Sequence, residues 1–392
     1  MAIIKKIRQS LERPTRERKF GTGWLSGAGA VLSGAVGLAL VLVLRYPSWL
    51  TTPELNFIHE SGLLQPATHL ILMWGYVCAI LALLLSKDKT LGFVGLALVM
   101  AAALIGTMPG EVSEGGGGSI YFGLDFFILN VLIIGFLFIP LERLSPRYRQ
   151  QPVFRREWQE DMFYYMVSSL LVQVLTFLST APANFISSSF DLTTVRDYIG
   201  GQPLVLQIVL IMLFTDFVQY WLHRAFHTFP FLWRFHAVHH SAKSMDWLAG
   251  ARMHILEIAL LRGLTAVPML TLGFDPVAVQ AYLLVVYFYS SFVHANIGWN
   301  LGFVERFFVT PRFHHWHHGN ERAAIDINYA VHFPIFDFLF GTHHMPKDKS
   351  WPLAYGVVGD EVPRGYWKQF LYPFKRPKPL DDADTKVPDA AE

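Results

Sequence analysis

The chain has a single cysteine, Cys78, and it lies inside an apolar run. One thiol can neither close an internal disulfide nor build a thiolate metal site, so any metal must be held by nitrogen or oxygen. Charge is also scarce. Only 16% of the 392 residues are Asp, Glu, Lys or Arg, while 53% are hydrophobic; soluble proteins average about 25% charged residues. The mean hydropathy of +0.34, with 32 Phe and 11 Trp, points to a chain solvated largely by lipid. A net charge of +2 with no basic stripe speaks against nucleic-acid binding. Nor is there a flavin or nicotinamide fingerprint, because the glycines at 21–29 and 115–118 do not sit between a strand and a helix.

What is present is a series of long apolar segments. The first 20 residues carry Lys5, Lys6, Arg8, Arg13, Arg16, Arg18 and Lys19, and an apolar run from Trp24 to Leu44 follows. That run is too long for the core of a signal peptide and ends in Arg45-Tyr46-Pro47 rather than at small residues, so it reads as an uncleaved span. Seven more spans fit near Ala67 to Leu85, Leu91 to Met108, Phe122 to Pro140, Asp161 to Phe185, Pro203 to Trp221, Leu256 to Leu272 and Val277 to Val293. The last two can also form a shallow hairpin. The expected fold is an all-α, multi-pass transmembrane bundle with a cytoplasmic, histidine-rich helical cap.

Lys and Arg collect in short cytoplasmic loops. With a basic N-terminus inside, eight crossings also place inside the Lys87-Asp88-Lys89 turn and the loop of Arg143, Arg147, Arg149, Arg155 and Arg156. The acidic Glu111 to Ser119 loop falls outside. The expected organisation is a basic terminus over 1–23, an N-terminal bundle over 24–150, a reactive region over 151–374 and a disordered Pro, Asp and Ala-rich tail over 375–392. The first bundle reads as an anchor or partner surface.

Fourteen of the 16 histidines lie between His223 and His344, and eight of them fall in three boxes. His223 and His227 are spaced i, i+4, which stacks two imidazoles on one helical face about 6 Å apart. His236, His239 and His240 have i, i+3, i+4 spacing, and His314, His317 and His318 repeat it 78 residues later. Both triplets follow Arg-Phe, as Arg234-Phe235 and Arg312-Phe313. A lone histidine is more often a surface or satisfied core residue, the reading given to His59, His69 and His332. Eight in register at one membrane face are not, because packed imidazoles repel when protonated whereas a metal uses their lone pairs. Imidazole suits zinc, copper, nickel and iron alike. Eight ligands exceed the four of a tetrahedral zinc, which implies two metals. Arg224 stands where a His-Glu-x-x-His protease carries its glutamate, so a zinc hydrolase is the minor reading.

The stretches WLHRAFH, WRFHAVHHS, TPRFHHWHHG, IDINYA and FGT, in that order between Asp216 and Gly341, resemble the fatty acid hydroxylase and sterol desaturase superfamily of membrane di-iron enzymes. The resemblance covers about a third of the chain. It implies two iron ions held by His223, His227, His236, His239, His240, His314, His317 and His318, with His294 in FVHAN matching a further family histidine. His254 in ARMHILE matches too, with packing and a substrate pocket equally open as its role. His315 reads as an extra, outward-facing residue, and His343 and His344 as lipid-surface residues. Asp216, two helical turns before His223, can accept a ligand ring's second N–H; Asp326 and Asn328 can do the same.

Such a centre implies hydroxylation or desaturation of a lipid C–H bond by dioxygen, on a sterol, a fatty acyl chain or another lipid. Hydroxylation is preferred because it needs one fewer hydrogen abstraction. Reducing equivalents are expected from a separate ferredoxin, b-type cytochrome or reductase, and the enzyme is expected in a bacterial cytoplasmic membrane with its site facing the cytoplasm. A metal-dependent membrane hydrolase or lipid-cleaving enzyme that works without oxygen is the alternative; a non-catalytic metal carrier or transporter would spread its histidines through the bilayer depth.

Overall fold

The structure is a computed structural model and describes residues 2–11, 18, 21–52, 55–107, 122–153, 155–359 and 361–375. The Glu111 to Ser119 loop and the tail beyond 375 lie outside the described residues. The described residues are all-α, with two isolated β-bridges and no strand.

The chain divides into two compact units, the first comprising 1–133, 152–156 and 169–173 and the second the remainder. In the first, α1 (Ala2–Leu11) precedes α2 (Trp24–Arg45), which packs against α3 (Leu64–Leu85) and α4 (Thr90–Ile105). Helices α2, α3 and α4 are apolar all round, so their association depends on close backbone approach. The buried residues Gly27, Ala30, Gly34 and Gly37 of α2 supply it. A Cβ on Gly95 of α4 would lie 2.5 Å from that of Ala30, so only glycine fits there. His59 and His69 are satisfied locally, by Thr51 at 3.0 Å and Thr107 at 2.7 Å.

The second unit begins within α5 (Leu124–Leu144), earlier than the boundary near 150 expected from hydropathy. The reason is a core in which Ile134 and Phe138 meet Trp247, Leu248, Ala295 and Ile297. Next come α6 (Trp158–Leu170) and α7 (Val172–Ser189), which meet at a 65° bend rather than forming the single span expected over 161–185. Helix α8 (Leu204–Thr228) ends where Pro230 forces Phe229 into extended backbone, φ −94° and ψ 119°, and Pro230 then starts α9 (Pro230–His240). A hairpin follows, α10 (Ile255–Thr271) and α11 (Pro276–His294), the second capped by Asp275, whose carboxylate accepts from Val277 N–H at 2.7 Å. Then come α12 (Pro311–His317), α13 (Ile335–Phe340) and α14 (Tyr366–Leu371). Proline at the first helical position thus opens the helices of the second and third boxes alike.

Among the described residues five helices are long and apolar enough to cross a membrane: α2, α3, α5, α8 and α11; counting the bent α6–α7 pair as one span makes six. Eight were expected. Helix α4, with 16 residues, and α10, with 17, fall short, since at 1.5 Å per residue they reach about 25 Å against a hydrocarbon core of about 30 Å. The chain is a multi-pass integral membrane protein.

Candidate metal centre

The C-terminal end of α8 carries His223 and His227, α9 carries His236, His239 and His240, α11 ends at His294, and α12 with its C-cap carries His314, His317 and His318. Their ring nitrogens converge into two groups, each with donor atoms within 4.8 Å of one another: His223, His227, His236, His240 and His317 in one, and His239, His294, His314 and His318 in the other. The boxes therefore do not map one to a group. The i, i+4 pairs 236/240 and 314/318 stay together, while the i+3 members, His239 and His317, cross to the opposite group.

Backbone carbonyls fix the tautomers. Nδ1 of His223 donates to Tyr329 O at 2.8 Å, that of His239 to Arg252 O at 2.9 Å, that of His294 to Ser290 O at 2.7 Å and that of His317 to Ile327 O at 2.8 Å. A carbonyl only accepts, so each of these rings carries its proton on Nδ1 and turns a bare Nε2 lone pair inward. Nε2 of His239 faces Nε2 of His294 at 3.2 Å. Two lone pairs at that distance repel unless a cation lies between them. A proton is a poor candidate, because burial and the neighbouring His294 push His239 down to about 3. Burial and nearby imidazoles likewise hold His236, His240, His314, His317 and His318 well below the usual imidazole range. In the first group, the Nε2 of His223 and of His240 approach Nε2 of His236 at 3.0 and 3.1 Å, and His240 meets His317 at 3.0 Å. Nε2 of His227 is buried with no hydrogen-bond partner. The donor set fits metal ions.

Three acidic or amide residues were expected to orient these rings. Asp326 does touch one, with Oδ1 3.3 Å from His227 Nδ1. Asp216 does not: its buried carboxylate accepts from the backbone N–H groups of Val331, His332 and Phe333 at 2.7–3.2 Å. Asn328 is also away from the rings, pinning Phe313 O and the backbone of His344. Both act on the loop after the third box. Asp326 and Asn328 adopt left-handed backbone, φ 59° and 58°, which short polar side chains tolerate best. Between and beside them, the carbonyls of Ile327 and Tyr329 turn to His317 and His223. Asp337 anchors Tyr329 and Ala330 N–H from the other side, at 2.8 and 2.9 Å.

Asp216→Ala is accordingly expected to destabilise the protein by several kcal/mol, since each buried N–H left unpaired costs about 1–3 kcal/mol. Thermal unfolding in detergent checks it; an unchanged midpoint would contradict the anchoring role.

Glu257, which sequence reasoning passed over, places Oε1 2.5 Å from His236 Nδ1. Its signal was available: an ionisable residue inside an expected span, three positions after His254. His254 itself caps α10, accepting from Leu256 N–H, and meets Phe370 O at 3.1 Å, a packing role. His315 is fully buried rather than outward-facing, bonded to Tyr355 Oη at 2.8 Å, and lies outside both groups. His332 is buried with neither ring nitrogen hydrogen-bonded, 3.8 Å from Asp216. His343 and His344 are half-buried and belong to neither group; His343 stacks on Phe338.

An all-α membrane protein with two adjoining, buried, all-histidine groups defines a class of membrane metalloprotein. Residues 208–342, which include all nine histidines, match the family model described as fatty acid hydroxylase, so the chain carries a domain of that family within the fatty acid hydroxylase and sterol desaturase superfamily. It is 33% identical over 175 residues to the ornithine lipid hydroxylase OlsE of Rhizobium tropici, covering 44% of this chain and 52% of that one. It is 32% identical over 143 residues to human alkylglycerol monooxygenase, 36% of this chain and 31% of that one. The chain thus spans about half the length of the first relative and a third of the second. No solved structure matches it.

Proposed function

We propose that the chain is a di-iron, O2-dependent lipid hydroxylase of a bacterial cytoplasmic membrane, with its site facing the cytoplasm. The observation that carries the metal is the His239–His294 pair, in which both Nδ1 protons are held by carbonyls and two lone pairs face each other at 3.2 Å. The all-imidazole donor sets suit iron, and nine donors in two groups exceed the four that one tetrahedral zinc would take.

His223, His227, His236, His240 and His317 would hold one iron, and His239, His294, His314 and His318 the other. Two bound irons supply the reduction of dioxygen and the capacity to take hydrogen from an unactivated C–H bond. One oxygen atom enters the lipid and the other leaves as water, with two electrons and two protons supplied from outside. The chain's own residues keep the site dry and the rings fixed. Tyr329 and Phe226 lie against the five-histidine group, and the carbonyl contacts stop the imidazoles from rotating.

The substrate is a membrane lipid with an acyl or alkyl chain, entering sideways. Leu213, Phe217 and Trp221 on α8, the helix that ends in the first box, and Phe338 and Leu339 on α13 are exposed large apolar groups suited to lipid contact. The names of the relatives, an ornithine lipid hydroxylase and an alkylglycerol monooxygenase, agree with a polar lipid. The basic loops support this sidedness when the short α4 is counted as a crossing with α2 and α3 and the α10–α11 hairpin as returning to its starting face. A soluble ferredoxin, a b-type cytochrome or a reductase would deliver electrons.

Lipid profiling of cells with and without the protein, grown under ¹⁸O2, tests this reading. A lipid gaining one labelled oxygen only when the protein is present is the expected result. Product formation by the reduced protein without oxygen would instead favour the hydrolase.

A further inference from the structure

We propose that Glu257 makes the two histidine groups electrically unequal, so that the five-histidine group holds its metal more tightly and better stabilises its higher charge. This rests on the two-metal reading above. The five-histidine group has two carboxylates against its rings: Glu257 at 2.5 Å from His236 Nδ1 and Asp326 at 3.3 Å from His227 Nδ1. The four-histidine group is held instead by the neutral carbonyls of Arg252 and Ser290. The charged group linked to it through Arg252 is that residue's own guanidinium, buried and paired with Asp161 and Glu157.

Glu257 is itself fully buried, and its second oxygen, Oε2, has no hydrogen-bond partner. A carboxylate in that position is costly unless a positive charge lies close by. His236 provides the route to one: its Nδ1 side meets Glu257, and its Nε2 converges with those of His223 and His240. A carboxylate behind a ligating imidazole draws on the ring's proton and makes the opposite nitrogen a stronger donor. Six residues of one segment, from Arg252 to Glu257, thereby set the two groups apart: a carbonyl for one, a carboxyl group for the other.

The test uses the full-length protein purified without a metal-binding tag and loaded anaerobically with ⁵⁷Fe(II). Two Mössbauer doublets and two steps of iron release to a chelator are expected for the wild type. In Glu257→Gln, which keeps shape and removes charge, one doublet should shift and one release step should move to chelator concentrations about 10–100-fold lower, with the other doublet and step unchanged. Asp326→Asn should shift the same doublet by less, since Asp326 is 61% exposed; this variant carries the test alone if Glu257→Gln does not accumulate. Unchanged spectra and release in the variants, or both doublets moving together, overturn the proposal while leaving two metals in place. A wild type that never holds two irons overturns the two-metal reading and this inference with it.

Discussion

His239→Ala is expected to lose bound metal and activity together, each by more than about 100-fold, beyond the 10–100-fold typical of losing an outer partner. The size of the effect follows from position. His239 points its lone pair at that of His294, and its ring also packs against His318 in the same group. Its removal strips a donor from a four-member set that has no spare. His317→Ala, in the five-member group, should behave alike because its Nε2 meets that of His240 at 3.0 Å. His59→Ala is the control. That ring hydrogen-bonds to Thr51 in the first unit, and its loss should leave iron content and turnover within about twofold, as for changes remote from a site. Iron content and turnover measured on the same preparations decide the matter; equal loss in all three variants would contradict the assignment.

Chelation should unfold much of the second unit. Nine buried rings whose nitrogens face one another are mutually repulsive without a cation, so the metals contribute to folding as well as chemistry. A ligand present at 1,000 times its dissociation constant stabilises the native state by about 4 kcal/mol per site. Two sites would give roughly 8 kcal/mol, comparable with the 5–15 kcal/mol total stability of ordinary proteins. The thermal midpoint in detergent should fall sharply when iron is removed and recover when Fe(II) is returned. A midpoint indifferent to chelation would contradict a structural contribution from the metals.

Much of the site was legible because side-chain type and helical spacing announce it. His236/His240 and His314/His318 are i, i+4 pairs, and each falls within one group. The crossing of His239 and His317 to the opposite groups was not legible, since it depends on how α9 and α12 face each other. Nor were most of the orienting contacts. The carbonyls of Arg252, Ser290, Ile327 and Tyr329 carry no side-chain signature. Asp216 stood out as an acid in a span, but sequence could not tell a ring from three backbone N–H groups as its partner. His315 illustrates the opposite error. It reads as outward on a helical wheel, yet a second layer formed by Tyr355 and Trp351 buries it.

The fold was readable at the level of class and less so in its crossings. Hydropathy marks α2, α3, α5, α8 and α11 well, because each is an unbroken apolar run. It cannot foresee that the apolar stretch over 161–185 bends by 65° or that α4 ends at Ile105. Glycine and proline placement is the better guide to detail: Pro230, Pro276 and Pro311 each start a helix that bears site residues.

Metal analysis of the untagged protein after iron-replete expression tests the central claim most directly. About two irons per chain, lost in His239→Ala, is the expected result; stoichiometric zinc with no iron would contradict it.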